Sequence, residues 1–224
     1  MTVHILVEGP SEQVFLEGWA KRLLRDQTVR VHPHQGKGKL PSDLAARPDP
    51  RNRALLHQLP SKLRALATCL DSREDRVLVL FDADNDDWPS VVKDVTNAAK
   101  TVAGMLRVDV GVAVEETEAF YLGDLRALRA AFPHADMALA QAYEPDSIVG
   151  TWELFGKVIG DGGGNKVAWA EAMAARVTTV PGRSRSPSFR LLCKKVKSLA
   201  EPNRAPPKKK RWRHVPRTAP QRRT

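Results

Sequence analysis

Acidic residues follow two apolar segments of the chain, at the point where each segment ends. Glu8 comes directly after 3–7 (VHILV), and Asp82 and Asp84 come directly after 77–81 (VLVLF). Valine- and leucine-rich runs of this length are typical of buried parallel strands, whose carboxyl ends share one edge of a sheet and carry ligand-binding residues there. Crowded carboxylates repel one another unless water, bases or a cation relieves the repulsion. The pattern therefore predicts a site for a divalent cation.

The second acidic cluster also has a simpler interpretation, in which it only shapes a turn. Asp84, Asp86 and Asp87 lie in the segment DADNDD, and Asp and Asn are common turn residues. We favour the cation site because Glu8 reaches the same predicted sheet edge independently. Asp82 and Asp84 are then expected to bind metal, and Glu8 to bind metal or to transfer a proton.

A third acidic group, Glu115, Glu116 and Glu118, follows the apolar segment 108–114. If Val114 ends a strand, these glutamates reach the same edge of the sheet. Acids at the beginning of a helix are also stabilised by the helix dipole. For Glu115 the metal site and the helix-terminal acid remain equally open interpretations.

Two lysines are candidates for contact with a phosphate. Lys37 lies in QGKGKL, which lacks the GxxxxGK[ST] spacing of a phosphate-binding loop, so contact with substrate and plain solvation both remain open. Lys166 follows the glycine-rich segment 160–165 and is a candidate for stabilising charge on a scissile phosphate. The histidines show neither a metal-ligand pattern nor a catalytic triad.

Strand and helix patterns alternate over the first 114 residues and would position these side chains. Apolar segments predict strands at 3–7, 28–34, 77–81 and 108–114, with helices beginning near residues 10, 54 and 89. This order favours an open α/β fold, a parallel sheet with helices on its faces. One further helix is predicted over 116–132, and helices and loops over 140–200.

The charge of the chain is concentrated at its C-terminal end. Residues 201–224 carry nine bases and one acid, or +8 of the net +10, and are rich in proline, so we predict a disordered tail. Lys209, Arg211 and Trp212 could contact phosphates and stack on a base, although a purely solubilising tail is equally consistent. We predict three parts: an α/β domain over 1–135, a helical extension on the same core over 136–200, and this tail.

Other features of the composition indicate where the protein works. With 42% hydrophobic residues the chain is not of the disordered class. No apolar run approaches the roughly 18 residues of a membrane span, and the N-terminus lacks a secretory pattern. Cys69 and Cys193 lie far apart and show no zinc-site spacing. We expect a cytoplasmic protein without a membrane partner.

Six short segments together resemble the DUF4276 family, whose members are regarded as Toprim-like. The strand-terminal Glu8-Gly9 and the later Asp82-x-Asp84 are similar to the catalytic signature of Toprim domains, which occur in topoisomerases, primases and the nuclease modules of overcoming-lysogenization-defect proteins. The segments are VEGPSE (7–12), GK (36–37), LFDAD (80–84), VEETEAFYLGD (114–124), KVAWA (166–170) and SPSF (186–189). The resemblance covers about residues 3–199.

This resemblance implies a Mg²⁺-dependent nuclease, with Mn²⁺ as an alternative metal. Glu8 would be the general acid or base, Asp82 and Asp84 would hold one or two metal ions, and Glu118 would belong to a second acidic cluster. Two metal ions ~3.5 to 4 Å apart can activate water and stabilise the leaving oxygen. The implied partners are nucleic acid, DNA rather than RNA, and a separate ATPase in prokaryotic anti-phage defence.

A protein of another class remains the alternative: a catalytically silent Toprim-like subunit that binds nucleic acid or a partner protein. The near-neutral charge of residues 1–200 favours it, since a stand-alone nuclease needs a surface that attracts phosphates. The complete set of acids at Glu8, Asp82 and Asp84 argues against it.

Overall fold

Four parallel strands form the centre of the fold. The computed structural model of the chain describes residues 1–147 and 150–201. Strand order across the sheet is β2-β1-β3-β4, and Ile5 of β1 pairs with Val31 on one side and Leu78 on the other. The strands are β1 (Thr2–Val7), β2 (Thr28–Pro33), β3 (Arg76–Asp82) and β4 (Arg107–Ala113). The predicted α/β fold with an open parallel sheet is confirmed.

Helices cover both faces of the sheet. The first two connections are crossovers through α1 and α2, and α3 leads from β3 into β4. The helices in the described ranges are α1 (Pro10–Leu23), α2 (Leu55–Cys69), α3 (Trp88–Val102), α4 (Glu118–Leu122), α5 (Leu125–Ala131), α6 (Met137–Ala142), α7 (Thr151–Ile159), α8 (Lys166–Ala174) and α9 (Pro187–Ala200).

The apolar strands are buried on both faces, which explains their continuous Val and Leu runs. Ile5 and Leu78 point to one face, where they join a cluster built from α1 and helices of the C-terminal half. Leu6 and Val79 point to the other face, where they pack with α2 and α3. Successive side chains alternate between the faces, as the two-residue period of a strand requires.

Helices after residue 136 share the core of the sheet. Trp169 of α8 and Phe189 of α9 belong to the same hydrophobic cluster as Ile5 and Trp19. The rings of Trp19 and Phe189 lie 5.2 Å apart between centroids. The division of the chain at residue 135 stays a prediction, since this cluster contains residues from both sides of it.

The prediction of one helix over 116–132 is wrong, because the chain bends at Gly123 and Asp124. The Asp124 carboxylate accepts a hydrogen bond from the Ala127 backbone N–H at 3.0 Å and so begins α5 as a new helix. The loop before α9 also lies close to Gly123, since a Cβ on this residue would be 2.9 Å from the Ser186 Cβ. Glycine and an N-capping aspartate therefore separate α4 from α5.

Residues 202–224 of the predicted tail lie outside the described residues. This holds for its disorder and for the contacts expected of Lys209, Arg211 and Trp212. Among the helices of residues 1–147 and 150–201, each is too short or too polar to cross a membrane.

Candidate functional site

Glu8 and Asp82 meet at the carboxyl edge of the sheet. Glu8 directly follows β1, Asp82 ends β3, and these two strands are neighbours. The Glu8 Oε1 atom accepts a hydrogen bond from the Asp82 backbone N–H at 2.8 Å. The structure thus brings together two of the acids that the sequence pattern placed at one edge.

Negative charge surrounds the side chain of Asp82. Burial raises the pKa of Asp82 well above its ordinary value, and the charges of Glu8, Glu12 and Glu118 raise it further. The Thr117 hydroxyl donates to Asp82 Oδ1 at 3.2 Å, which is one neutral hydrogen bond against several like charges. The ionised form of Asp82 is therefore electrostatically unfavourable unless a cation binds beside it.

Glu118 approaches the same cluster from the beginning of α4. Its side chain is 2% exposed, and this burial raises the pKa of Glu118 to about 7, although the nearby Lys166 lowers it. Burial likewise raises the pKa of Glu8 to about 7, against the opposing effects of the Asp82 N–H and Lys37. Both carboxyl groups therefore change protonation state near neutral pH.

Glu12 also belongs to the cluster, although sequence reasoning did not select it as a site residue. It is buried in the first turn of α1, and its charge raises the pKa of Glu8, Asp82 and Glu118. The Ser11 hydroxyl donates to Glu12 Oε1 at 2.9 Å. The signal was present in the sequence: Glu12 lies four residues after Glu8, on the helix that follows β1 directly.

Asp84 lies near enough for its charge to raise the pKa of Glu8 and Asp82, but its carboxylate is paired with Lys37. The Lys37 Nζ atom lies 2.6 Å from Asp84 Oδ2 and 2.9 Å from Asp86 Oδ2, and it donates to the backbone carbonyls of Asp82 and Ala83 at 2.8 and 3.1 Å. Asp84 itself has a φ of 51°, an uncommon conformation for a residue other than glycine. Lys37 therefore fixes the loop after β3.

Desolvation and hydrogen bonding shift the pKa of Lys37 in opposite directions. Desolvation lowers the pKa of Lys37, but the hydrogen bonds to Asp84 and Asp86 outweigh it, so the pKa is raised overall. Its ammonium group is therefore a structural cation of the loop after β3. Contact of Lys37 with a substrate phosphate stays a prediction, and it would require this group to leave or share its oxygen partners.

The three glutamates after β4 point to different places. Glu115 accepts hydrogen bonds from the hydroxyls of Tyr143 and Thr151 and is buried with them. Glu116 Oε2 accepts the backbone N–H of Trp152 at 2.8 Å, at the beginning of α7. Of the three, Glu118 lies beside Asp82 and Glu12, while Glu115 and Glu116 attach the β4–α4 connection to the segment around α7.

Lys166 lies on the Glu118 side of the acidic cluster. Its Nζ atom is 3.9 Å from Glu118 Oε1 and 3.9 Å from Glu116 Oε1. It also lies 5.1 Å from the centroid of the Trp152 ring, at cation–π distance. The structure thus places Lys166 next to the candidate site. Among the ion pairs in residues 1–147 and 150–201, Lys166 is the cation that pairs with Glu118.

The chemistry of these donors suits a hard divalent cation, because Mg²⁺ and Ca²⁺ prefer several carboxylate oxygens and the acids here repel one another. In the ranges 1–147 and 150–201, however, no three Asp, Glu, His or Cys side chains converge closely enough to form a metal site. The Asp84 carboxylate in particular is paired with Lys37. A cation that recruits Glu8, Asp82 and Asp84 together therefore requires movement of side chains and competition with Lys37.

A cleft of about 600 Å³ opens beside Glu8. Its wall includes Arg53 and Lys62, two cations that sequence reasoning did not select, together with His34 and Gln58. Desolvation lowers the pKa of His34, whose Nδ1 lies 2.8 Å from the Val7 carbonyl oxygen, so this ring is neutral at pH 7. The acidic edge is therefore bordered by a groove that carries positive charge.

Comparison with known proteins places the chain in a family. No curated protein and no solved structure matches it. The family model described as a domain of unknown function, DUF4276, matches residues 7–197, most of the chain. This range includes Glu8, Asp82, Glu118 and Lys166, all of the described site. The chain therefore belongs to the DUF4276 family.

Proposed function

We propose that the protein is a metal-dependent nuclease that hydrolyses phosphodiester bonds. One observation carries the proposal: Glu8, Asp82 and Glu118 meet at one sheet edge, where burial and the charges of neighbouring acids, Glu12 among them, raise the pKa of all three. Such crowding is costly for stability, and sites that hold cations or transfer protons are where it is typically found. The resemblance to Toprim domains supports the same reaction.

Mg²⁺, or Mn²⁺, would be held by Asp82 with Asp84 and Glu118 and would supply Lewis-acid activation of water and of the scissile phosphate. Glu8, whose pKa is about 7, is suited to proton transfer at neutral pH. Its carboxyl group would act either as the general base that accepts a proton from the attacking water or as the general acid that donates a proton to the leaving oxygen, since these two oxygens lie on opposite sides of the phosphorus. Lys166, next to Glu118, adds positive charge for a phosphate.

The cleft beside Glu8 supports nucleic acid as the substrate. Arg53 and Lys62 can attract a phosphate backbone toward the acidic edge, where the acids alone would repel it. Lys37, Lys209, Arg211 and Trp212 remain further candidate contacts. DNA rather than RNA, the ATPase partner, the role in anti-phage defence and a cytoplasmic location rest on the resemblance.

A catalytically silent subunit is the second candidate, and the Lys37 contacts favour it. Lys37 pairs with both Asp84 and Asp86, so Asp84, one of the expected metal ligands, already has an internal cation as its partner. In such a protein the acidic edge would serve structure or partner binding.

Cleavage assays distinguish the two functions. Plasmid and single-stranded substrates are incubated with Mg²⁺, with Mn²⁺ and with EDTA, each with and without the partner ATPase that the resemblance leads us to expect. We expect metal-dependent cleavage that is lost in Glu8→Gln and Asp82→Asn, because each substitution removes a charge from the cluster but keeps its shape. Asp94→Asn, which changes an exposed acid of α3, is the matched control. Absence of cleavage under all these conditions, with binding retained, would support the silent subunit.

A further inference from the structure

A second cleft, of about 560 Å³, lies at the opposite end of α1 from the acidic cluster. Its wall carries the arginines Arg22, Arg126, Arg176 and Arg183. Glu12 lies in the first turn of α1 and Arg22 near its last residue, about 15 Å apart along the helix axis. This cleft is therefore separate from the proposed nuclease site.

The positive charge of this cleft is not neutralised within it. In the part of the chain that the structure describes, none of the four arginines forms an ion pair with an acidic side chain. Asp124 is the acid in the wall, and its oxygens accept the backbone N–H groups of Ala127 at 3.0 Å and Thr178 at 2.8 Å. The cleft is thus lined by four positively charged side chains and one negatively charged side chain, so it attracts anions.

The walls of the cleft are fixed to one another before any ligand binds. The Trp19 indole N–H donates to the Thr178 carbonyl oxygen at 2.9 Å, and Asp124 connects Thr178 to the beginning of α5. Arg22 donates to the carbonyl oxygens of Ala174 and Val177 at 2.7 and 3.0 Å, just after α8. The backbone of the cleft therefore loses little conformational entropy on binding, and the entropic cost is confined to the exposed side chains of Arg126, Arg176 and Arg183.

We propose that this cleft binds a compact oligophosphate, such as the diphosphate or triphosphate group of a nucleotide. The planar guanidinium group forms paired hydrogen bonds with phosphate oxygens, and four arginines around one cavity match several closely spaced negative charges. The volume lies within the range of small-molecule sites. The hydroxyl of Thr179 in the wall is an additional donor.

A nucleic-acid strand fits this cleft less well than a small oligophosphate. Proteins that bind single strands stack bases on aromatic side chains along an extended groove. The residues of the described chain that line this cleft include no aromatic ring. Recognition therefore depends on the phosphates, and a base attached to them would remain outside the arginine cluster.

Titration of the full-length protein with inorganic tripolyphosphate tests the proposal, by calorimetry at constant ionic strength. We expect Arg126→Gln to weaken binding about tenfold, because it removes one charge-assisted contact. Arg129→Gln is the matched control, since Arg129 is an exposed arginine on α5 that does not line the cleft. Binding to the basic C-terminal residues is common to all variants and cancels in this comparison. Arg176→Gln, on the facing wall, should repeat the loss.

Two results would overturn the proposal. Equal affinities of the Arg126→Gln and Arg129→Gln variants would show that tripolyphosphate binds elsewhere. A loss on Arg126→Gln that is seen with an oligothymidylate but not with tripolyphosphate would make the cleft a nucleic-acid surface. Neither result depends on cleavage, so a failure of the proposed nuclease activity leaves this test intact.

Discussion

Replacing Glu118 by Gln tests whether the acidic cluster is as unfavourable as its geometry indicates. The pKa of Glu118 is raised from 4.5 to about 7 in the folded protein. The folded state therefore binds this proton more tightly than the unfolded chain does. The resulting stabilisation is complete below about pH 4.5 and is lost as the pH rises to about 7.

The size of the effect follows from the change in pKa. A rise from 4.5 to about 7 corresponds to about 3 kcal/mol between the two protonation states. Solvent screening reduces this little, because the side chain is 2% exposed. Gln keeps the shape but cannot ionise. The stability of Glu118→Gln relative to wild type should therefore increase by about 3 kcal/mol between pH 4 and pH 8.

Urea unfolding across this pH range, in EDTA, measures the difference. Glu171→Gln, which changes an exposed acid of α8, should show no such pH dependence and serves as the control. Addition of Mg²⁺ at pH 8 should stabilise the wild-type protein more than Glu118→Gln, since the cation offsets the repulsion that the variant lacks. A stability difference that stays constant from pH 4 to pH 8 would refute the electrostatic argument.

Three further predictions concern the remaining parts of the proposed site. Asp82→Ala should abolish metal-dependent cleavage while the free energy of unfolding in EDTA stays equal or rises, measured by plasmid cleavage and urea denaturation. Lys37→Met should lower the free energy of unfolding by about 1–3 kcal/mol, because carbonyl and carboxylate acceptors lose their donor, whereas Lys39→Met should not. Deletion of 201–224 should weaken nucleic-acid binding and leave the cleavage chemistry in place. The slope of log affinity against log salt concentration should become shallower, by about 0.9 for each duplex phosphate that the tail neutralises in the full-length protein.

β1 and β3 were predictable because their burial on both faces gives a continuous apolar run, and the edge strand β2 because its exposed and buried residues alternate. The predicted strand 77–81 appears as β3 with one more residue at each end, Arg76 and Asp82. The meeting of Glu8 and Asp82 followed from the same pattern, since parallel strands end at a common edge. The boundaries of the helices were harder to predict from the sequence. α2 continues through Pro60, which is buried, although proline usually interrupts a helix.

Side-chain directions within the acidic groups could not be predicted from spacing. Glu115, Glu116 and Glu118 lie within four residues, yet Glu115 is bound by Tyr143 and Glu116 by the Trp152 backbone. Those partners lie 28 and 36 residues further along the chain. Long-range partners of this kind leave no local periodicity, so only the folded structure separates Glu118 from its neighbours.

The net charge of residues 1–200 is a poor guide to what this protein binds. It is near neutral because local clusters of opposite sign cancel in the sum, not because charge is evenly spread. Acids gather at the beginning of α1, with Arg53 and Lys62 in the adjoining cleft, and four arginines line the cleft at its other end. A ligand responds to the field within its own cleft, over distances comparable to the roughly 8 Å Debye length of physiological salt. The near-neutral total is therefore no argument for a silent subunit, and the choice between the two functions depends on whether the carboxylates of Glu8, Asp82 and Glu118 can gather a cation.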